Sequence, residues 1–307
     1  MSFWTSDELE GFSTDQRAKL RRFWLRNYVE NFDTMKKSFK DITDMPDLGF
    51  GRPAVVLGGA PIQPEAYEVL KSMDCITTVC CDKALPAVLP HFRPNFVVAL
   101  NTQKTEHVEL EKWFADSERM TLVVPVTVHP DTVKLWKGDV LWMNPTNIDD
   151  DLCLRVEQET GIPRFHRGDN AGEFAVTIAS FLRPAEIALF GMWYAWKTRE
   201  EVIEKGAFGK PTDMDNYDVV EVVEAGERWW SNLTWLTSRT MLMQYLKGIR
   251  IQGIETFNCS EGGVVYHPNF CRRMKPEKFR QRWADIPPRQ GRMPLIRGEP
   301  DDKYAGD

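Results

Sequence analysis

The stretch Ala54-Val55-Val56-Leu57-Gly58-Gly59-Ala60-Pro61 decides the fold, because an apolar run stops at two glycines just before a helical start at residues 63–65. A short run that is apolar throughout predicts a strand covered on both faces. Glycines followed by a helix N-terminus favour a turn whose amides face a phosphate or carboxylate. A tight turn without a ligand would give the same sequence, so the stretch alone predicts only a strand, a turn and a helix.

Similar apolar runs alternate with helical segments further along the chain, and this alternation predicts an α/β protein with a mostly parallel sheet. The predicted strands are 54–57, 76–80, 96–100, 122–126, 140–143, 187–190 and 251–257. Residues 191–219 read as a long loop of the kind that often forms a lid.

Two long helices are also predicted. Residues 13–40 carry an aromatic stripe, which would pack on the sheet domain or on a second subunit and makes a homodimer possible. A membrane-surface role for that stripe is the lesser alternative. A second helix is predicted over 219–247, where Trp229, Trp230 and Trp235 are interpreted as packing residues in preference to ligand-stacking ones.

Composition restricts the class of protein. The chain has 307 residues, 42% of them hydrophobic, and a net charge of −6. These values predict a globular protein without a broad basic field, so no nucleic-acid partner is expected. No apolar segment approaches the length of a membrane span, so we expect a cytoplasmic protein without a membrane partner. The six cysteines lack paired spacing and indicate buried thiols in preference to a metal site.

Polar and small residues follow several of the predicted strands. Asp82 and Asn101 come after the second and third strands, and the turns 168–173 and 258–263 carry glycines beside polar residues. Asp169 or Asn170 could simply cap the helix that follows. In open parallel sheets the ligand crevice lies beyond the carboxyl ends of the strands, so we expect these turns to face one pocket for a phosphorylated small molecule.

The same turns resemble those of the MptE-like 6-hydroxymethylpterin diphosphokinases, a family that shares its core with motility accessory factor glycosyltransferases. The resemblance runs from about residue 50 to residue 266. It is carried by motifs in the same order as in the family: 58–61, 82–85, 93–98, 168–172, 187–192 and 258–263.

The resemblance implies a Rossmann-like catalytic or binding domain over residues 49–266, with an N-terminal helical extension (1–48) and a C-terminal arm and tail (267–307). It also implies transfer of diphosphate from ATP, with Mg²⁺, to the hydroxymethyl group of a reduced pterin. Asp82 and Asp169 would be catalytic and hold the metal. Phosphate or nucleotide binding would fall to Gly58, Gly59, Ala60, Gly168, Asn170 and Gly172. Substrate binding would fall to Asn101, Asn258, Ser260, Glu261 and Gly262.

The chain departs from the family pattern at positions 101 and 193, where the family places aspartates and this sequence has Asn101 and Trp193. After the first strand the family usually has Gly-Pro-Ser-Leu, whereas this chain has Gly59-Ala60-Pro61-Ile62-Gln63. The turn therefore lacks a hydroxyl group that the family has. Two other functions therefore stay open. One is a nucleotide-sugar glycosyltransferase that uses His166 or His267 as a base. The other is a nucleotide-binding protein that has lost catalysis.

Overall fold

The computed structural model describes residues 21–43, 51–102, 114, 117–146, 150–165, 170–205 and 219–286. The helices are α1 (21–31), α2 (Lys40–Thr43), α3 (Pro64–Lys71), α4 (Leu85–Val88), α5 (Pro130–Leu135), α6 (Asp150–Thr160), α7 (Ala171–Phe181), α8 (Arg199–Lys205), α9 (Leu233–Ile251) and α10 (Pro276–Arg282). The strands are β1 (Pro53–Leu57), β2 (Thr77–Cys81), β3 (Phe96–Val98), β4 (Thr121–Pro125), β5 (Asp139–Pro145), β6 (Arg164–Phe165), β7 (Glu186–Phe190), β8 (Val219–Glu224), β9 (Glu227–Asn232), β10 (Glu255–Asn258) and β11 (Arg272–Arg273).

The described residues form a nine-stranded sheet in the order β11-β10-β7-β1-β2-β3-β4-β5-β6, and its paired strands are all parallel. This arrangement confirms the predicted α/β fold. The chain passes outward from β1 to β6 and then returns to place β7 on the other side of β1. The strand order therefore reverses between β1 and β7, which is where open sheets of this kind bind ligands.

The core lies on both faces of this sheet. Strands β1, β2, β3, β4 and β7 are buried along their whole length, as their apolar sequences predicted. Helix α7 packs across the first three strands and is buried at eight of its eleven positions, which suits its nearly continuous apolar sequence. All six cysteines are buried free thiols, as predicted.

The prediction of a helix over residues 219–247 was wrong for the first half of that range. Strands β8 and β9 form an antiparallel hairpin there, and α9 begins only at Leu233, capped by the side chain of Asn232. The turn residues Ala225 and Gly226 have φ angles of 52° and 81°, the left-handed pair of a tight hairpin turn. The β-branched sequence Val219-Val220-Glu221-Val222-Val223 supplies the strand that enters this turn.

Three further boundaries differ from the predictions. The helix predicted over 13–40 was wrong in its last part, because α1 ends at residue 31, a 3-10 turn follows at Phe32–Thr34, and residues 35–39 are not helical. Helix α9 continues to Ile251, so the last predicted strand begins at Glu255 instead of residue 251. In the predicted loop 191–219, residues 199–205 form α8, and residues 206–218 lie outside the described part of the chain.

Helix α1 packs on the sheet domain, which was one of the two predicted locations for it. Trp24 and Tyr28 are buried in the main core. Two fully buried amides fix the contact: Asn27 Nδ2 donates to the carbonyls of Thr102 (2.7 Å) and Thr127 (2.9 Å), and Asn31 donates to those of residues 126 and 128. Helix α1 is therefore tied to the segments that follow β3 and β4.

Candidate functional site

The predicted turns meet at one edge of the sheet. Because the strands are parallel, their last residues lie at the same carboxyl edge of the sheet. These residues are Leu57, Cys81, Val98, Phe190 and Asn258. Helix α7 runs back against β1 and β2, so its N-terminus lies at this edge as well. We call the space beyond the reversal between β1 and β7 the crevice.

The backbones of the β1 and β7 turns touch each other in the crevice. The amide of Gly58 donates to the Phe190 carbonyl (2.8 Å), and that of Ala60 donates to the Gly191 carbonyl (2.9 Å). A β-carbon at Gly58 would overlap the Gly191 carbonyl oxygen and lie 2.6 Å from the Met192 sulfur, and one at Gly172 would lie 2.9 Å from the same sulfur. Protein packing thus explains glycine at 58 and 172 without a ligand.

Gly59 behaves differently from its neighbour. It is exposed, and a β-carbon there would meet only the β-carbon of Lys83, at 3.4 Å. The amides of Gly58 and Ala60 donate to the β7 turn, whereas among the described residues no backbone carbonyl accepts a hydrogen bond from the Gly59 amide. If the turn binds an anion, Gly59 is the residue positioned to do so.

Asp82, Lys83 and Asn101 lie beside Gly59, and we call these four residues the polar half of the crevice. Asp82 is only 4% exposed. One of its carboxylate oxygens accepts the Lys83 amide (2.8 Å), and the other accepts the Asn101 side-chain amide (3.3 Å). Lys83 is an exposed cation, which the sequence analysis missed although it follows Asp82 directly. An acid and a lysine in one strand-end turn were the available signal.

The N-terminus of α7 is closed by a reciprocal cap. Asn170 Oδ1 accepts the Glu173 amide (3.0 Å), and Asn170 Nδ2 donates to the Glu173 carboxylate (2.7 Å). The Tyr194 hydroxyl donates to the same Asn170 oxygen at 3.3 Å. Burial of the Tyr194 phenol, together with nearby Glu173, raises the pKa of Tyr194 well above its usual value, so the hydroxyl stays a donor. Asn170 is therefore engaged in capping, one of its two predicted roles.

On the other side of Met192 the crevice is lined by indole and phenol rings. Trp193 lies against Gly262, whose β-carbon would come within 2.8 Å of the ring, and Trp193 and Trp196 have centroids 5.3 Å apart. Trp235, at the start of α9, lies 6.1 Å from Trp196. We call Trp193, Tyr194, Trp196 and Trp235 the aromatic half of the crevice. The packing predicted for Trp235 is observed, but Trp235 and Trp193 stay partly exposed.

The turn after β10 uses much of its polarity internally. Asn258 is 1% exposed; its side chain donates to the Val265 carbonyl (2.8 Å) and accepts the Ser260 amide (2.9 Å). The Ser260 hydroxyl accepts the Met192 amide at 3.4 Å, whereas Glu261 is exposed. Of the residues predicted here to bind substrate, Glu261 and Ser260 are the ones that solvent reaches.

Three of the predicted residues cannot be placed by contact. His166, Gly168 and Asp169 lie outside the described residues. His267 lies in a turn, where its ring stacks on Phe270 at 3.8 Å and accepts the Asn269 amide.

Magnesium does not fit the described residues by themselves. In the described ranges no three His, Cys, Asp or Glu side chains lie together. The Asp82 carboxylate already accepts two hydrogen bonds, one of them from the Asn101 amide. A hard dication prefers several carboxylate and carbonyl oxygens, so the Asp82 carboxylate by itself is a poor site for it.

A shallow pocket of about 450 Å³ lies at the opposite edge of the sheet, lined by residues such as Ser180, Arg183 and Gln252. It precedes β7 and β10, whereas the polar residues follow the strands, so we place the site in the crevice. Among the described helices, none has the length and apolarity that a membrane span requires.

The fold and the crevice define a Rossmann-like α/β protein with polar residues at the switch point of its sheet. The family model described as 6-hydroxymethylpterin diphosphokinase MptE-like matches residues 26–199, more than half of the chain. The chain therefore belongs to the MptE-like family, and the resemblance predicted from its motifs is confirmed.

A solved structure has the same fold. The MAf glycosyltransferase from Magnetospirillum magneticum AMB-1 superposes with a TM-score of 0.53 at 17% sequence identity. The match covers 82% of this chain and 41% of that protein, so this chain spans about two fifths of its length. No curated protein matches the sequence.

Proposed function

We propose that the protein is a transferase that takes its donor group from a nucleotide, and that it moves diphosphate from ATP to the hydroxymethyl group of a reduced, pterin-like alcohol. Membership of the MptE-like family supports this assignment. The observation that carries it is the polar half, where exposed Gly59 and Lys83 flank the buried carboxylate of Asp82 at the switch point.

Three of the four residues of the polar half would have a role in such a transfer. The Gly59 amide and the Lys83 ammonium would bind the donor phosphates, because phosphoryl transfer depends mainly on positioning and charge neutralisation. The acceptor hydroxyl oxygen would form a bond to the β-phosphorus. The bond from that phosphorus to the oxygen that bridges the α- and β-phosphates would break, releasing AMP. Asp82 is the described group placed to accept the hydroxyl proton.

A second function uses the same half of the crevice. The fold likeness to a MAf glycosyltransferase raises the possibility of a nucleotide-sugar donor, whose phosphates would bind at Gly59 and Lys83 in the same way. The two functions differ in the donor, so nucleotide binding separates them. A protein that has lost catalysis would bind a nucleotide without turnover, or bind none.

The first prediction concerns the donor. A ligand that binds only the folded state stabilises it by about 2.7 kcal/mol at a hundredfold excess over its Kd, which corresponds to roughly 5–10 °C in Tm for a domain of this size. We expect ATP to raise Tm by several degrees in thermal shift, and CMP- or UDP-sugars to leave it unchanged. Mg²⁺ alone should give no shift, because no three His, Cys, Asp or Glu side chains lie together in the described ranges.

Variants locate the effect. Lys83→Ala should lose most of the ATP-dependent shift, whereas Lys71→Ala, which removes an exposed lysine at the end of α3, should keep it. Asp82→Asn should keep the shift but lose turnover to AMP. A shift with the sugar nucleotides alone would favour the glycosyltransferase, and the absence of any nucleotide effect would reject both transferase assignments.

A further inference from the structure

We propose that the aromatic half binds the ring of the acceptor, a flat heteroaromatic compound with a ring oxygen or nitrogen that accepts a hydrogen bond. This inference rests on the proposed transferase function and adds the location and chemistry of its second substrate. It assigns a role to Trp193, Tyr194, Trp196 and Trp235; of these, the sequence had suggested ligand stacking for Trp235 alone, with packing preferred.

The backbone that carries these rings is strained. Gly191 and Tyr194 have φ angles of 65° and 55°, two left-handed residues within four positions. For a bulky aromatic residue this conformation costs about 1–2 kcal/mol. Strained backbone of this kind persists where its surroundings hold it, and it clusters at binding sites.

The surroundings hold the segment from three sides. The Ser231 hydroxyl donates to the Tyr194 carbonyl (2.7 Å), and Trp196 exchanges two backbone hydrogen bonds with Trp230 of the hairpin (2.7 and 2.8 Å). The Val264 amide donates to the Trp193 carbonyl at 2.9 Å. The Trp193 and Trp196 rings are therefore placed rigidly, which lowers the entropic cost of stacking a ligand on them.

Trp193 carries the polar part of the inference. Its Nε1 is buried and has no hydrogen-bond acceptor within the described part of the chain. The Trp136 and Trp229 indoles also lack an acceptor among the described residues, but those side chains are buried, whereas Trp193 is partly exposed, so a bound ligand can supply the acceptor there. The ring itself is partly exposed beside Trp196 and lies on the far side of Met192 from the polar half. Donor phosphates and acceptor ring would thus bind in adjacent halves.

The shape of the aromatic half favours a flat ring. Trp193, Trp196 and Trp235 form a row with successive tilts of 56° and 48°; Trp196 is buried within it, so the partly exposed Trp193 and Trp235 rings are the indoles that a ligand would reach. Stacking on such faces suits any ligand with a π-face. A sugar would ask for several hydrogen bonds to its hydroxyls, whereas this row supplies ring faces and one indole N–H from each tryptophan.

The test is direct binding, which does not depend on turnover. We expect 6-hydroxymethylpterin to bind the full chain in isothermal titration calorimetry, and Trp193→Phe, which keeps a ring but removes the N–H, to weaken binding about tenfold. The matched control is Trp136→Phe. Its indole N–H is also buried without an acceptor in the described residues, but it lies beside Phe114, after α5. This variant should bind as the wild type does.

Each outcome is decisive. Unchanged binding by Trp193→Phe, or equal weakening by both variants, would overturn the assignment. So would competition by AMP, since the bound ring would then be the donor's base, or binding of a free sialic acid in place of the pterin. A wild-type protein that binds ATP but no pterin would reject this inference and leave the proposed donor intact, whereas pterin binding without any nucleotide binding would reject the proposed function alone.

Discussion

At the scale of single residues, neighbouring glycines in one turn have different reasons to be glycine. Gly58 has no room for a side chain, because the Gly191 carbonyl and the Met192 sulfur occupy the position of its β-carbon. Gly59 faces solvent and Lys83. Glycine is therefore required by protein packing at position 58 and suits the approach of a ligand at position 59. The sequence alone does not distinguish the two reasons.

Alanine substitution separates the two reasons. Gly58→Ala should destabilise the protein by about 3 kcal/mol, because the added methyl group collides with backbone that β1 and β7 hold in place. Gly59→Ala should change the free energy of unfolding by less than about 1 kcal/mol, since its β-carbon makes only an ordinary contact with Lys83. Urea denaturation of both variants measures the difference. Equal stabilities would show that the turn is not packed as described.

At the scale of elements, the hairpin β8–β9 depends on its turn. Ala225 adopts a left-handed φ of 52°, which alanine disfavours and asparagine tolerates. Ala225→Asn should therefore stabilise the protein by about 0.5–1 kcal/mol and raise Tm by about 2 °C.

Gly226→Ala is the opposing control for that variant. Its φ of 81° favours glycine, although a β-carbon there would meet nothing within 4 Å, so any loss of stability comes from the backbone alone. Scanning calorimetry should show Tm rising in the first variant and falling in the second. A fall in both would mean that the hairpin turn differs from the one described.

The same hairpin shows why only part of the structure could be predicted from the sequence. The buried strands β1 to β4 and β7 were predicted within a residue or two because their apolar runs are bounded by turn residues. The segment 219–232 mixes valines, glutamates and tryptophans, which suits a helix or a hairpin, and the turn that decides between them is Ala225-Gly226 in place of the commoner Asn-Gly. Local sequence did not specify that turn.

For the site, the sequence predicted that the turns meet at one edge of the sheet, but not which contacts shape the crevice there. Parallel pairing brings the strand ends together whatever their side chains are. The insertion of Met192 between Gly58 and Gly172 depends on a contact with Gly58, more than a hundred positions away, and no spacing rule reports it. The division of the crevice into a polar and an aromatic half follows from that insertion.

At the scale of the whole molecule, the C-terminal part of the described chain closes the edge opposite the crevice. Glu186, the first residue of β7, is 5% exposed and accepts hydrogen bonds from the Arg282 guanidinium and from Trp283 Nε1 (2.9 Å). Glu255, at the start of β10, pairs with Arg250 (3.1 Å) and with Arg282 (3.6 Å). Helix α10 is thereby fastened to β7, whose far end leads into the aromatic half, and to β10, whose far end leads into the turn 258–263.

This fastening yields the last prediction. Arg282→Ala would leave the buried Glu186 carboxylate with Trp283 as its remaining side-chain donor among those described, and removing one partner of a buried charge is costly. Because Arg282 itself is about half exposed, the loss is moderated by solvent, and we expect about 1–2 kcal/mol of destabilisation. Arg280→Ala, two residues away at an exposed position of α10, serves as control and should change stability by less than about 0.5 kcal/mol. Since the network lies at the opposite edge from the crevice, nucleotide binding at temperatures well below Tm should be the same in both variants; a stable Arg282→Ala protein with weakened nucleotide binding would instead mean that the two edges of the sheet are coupled.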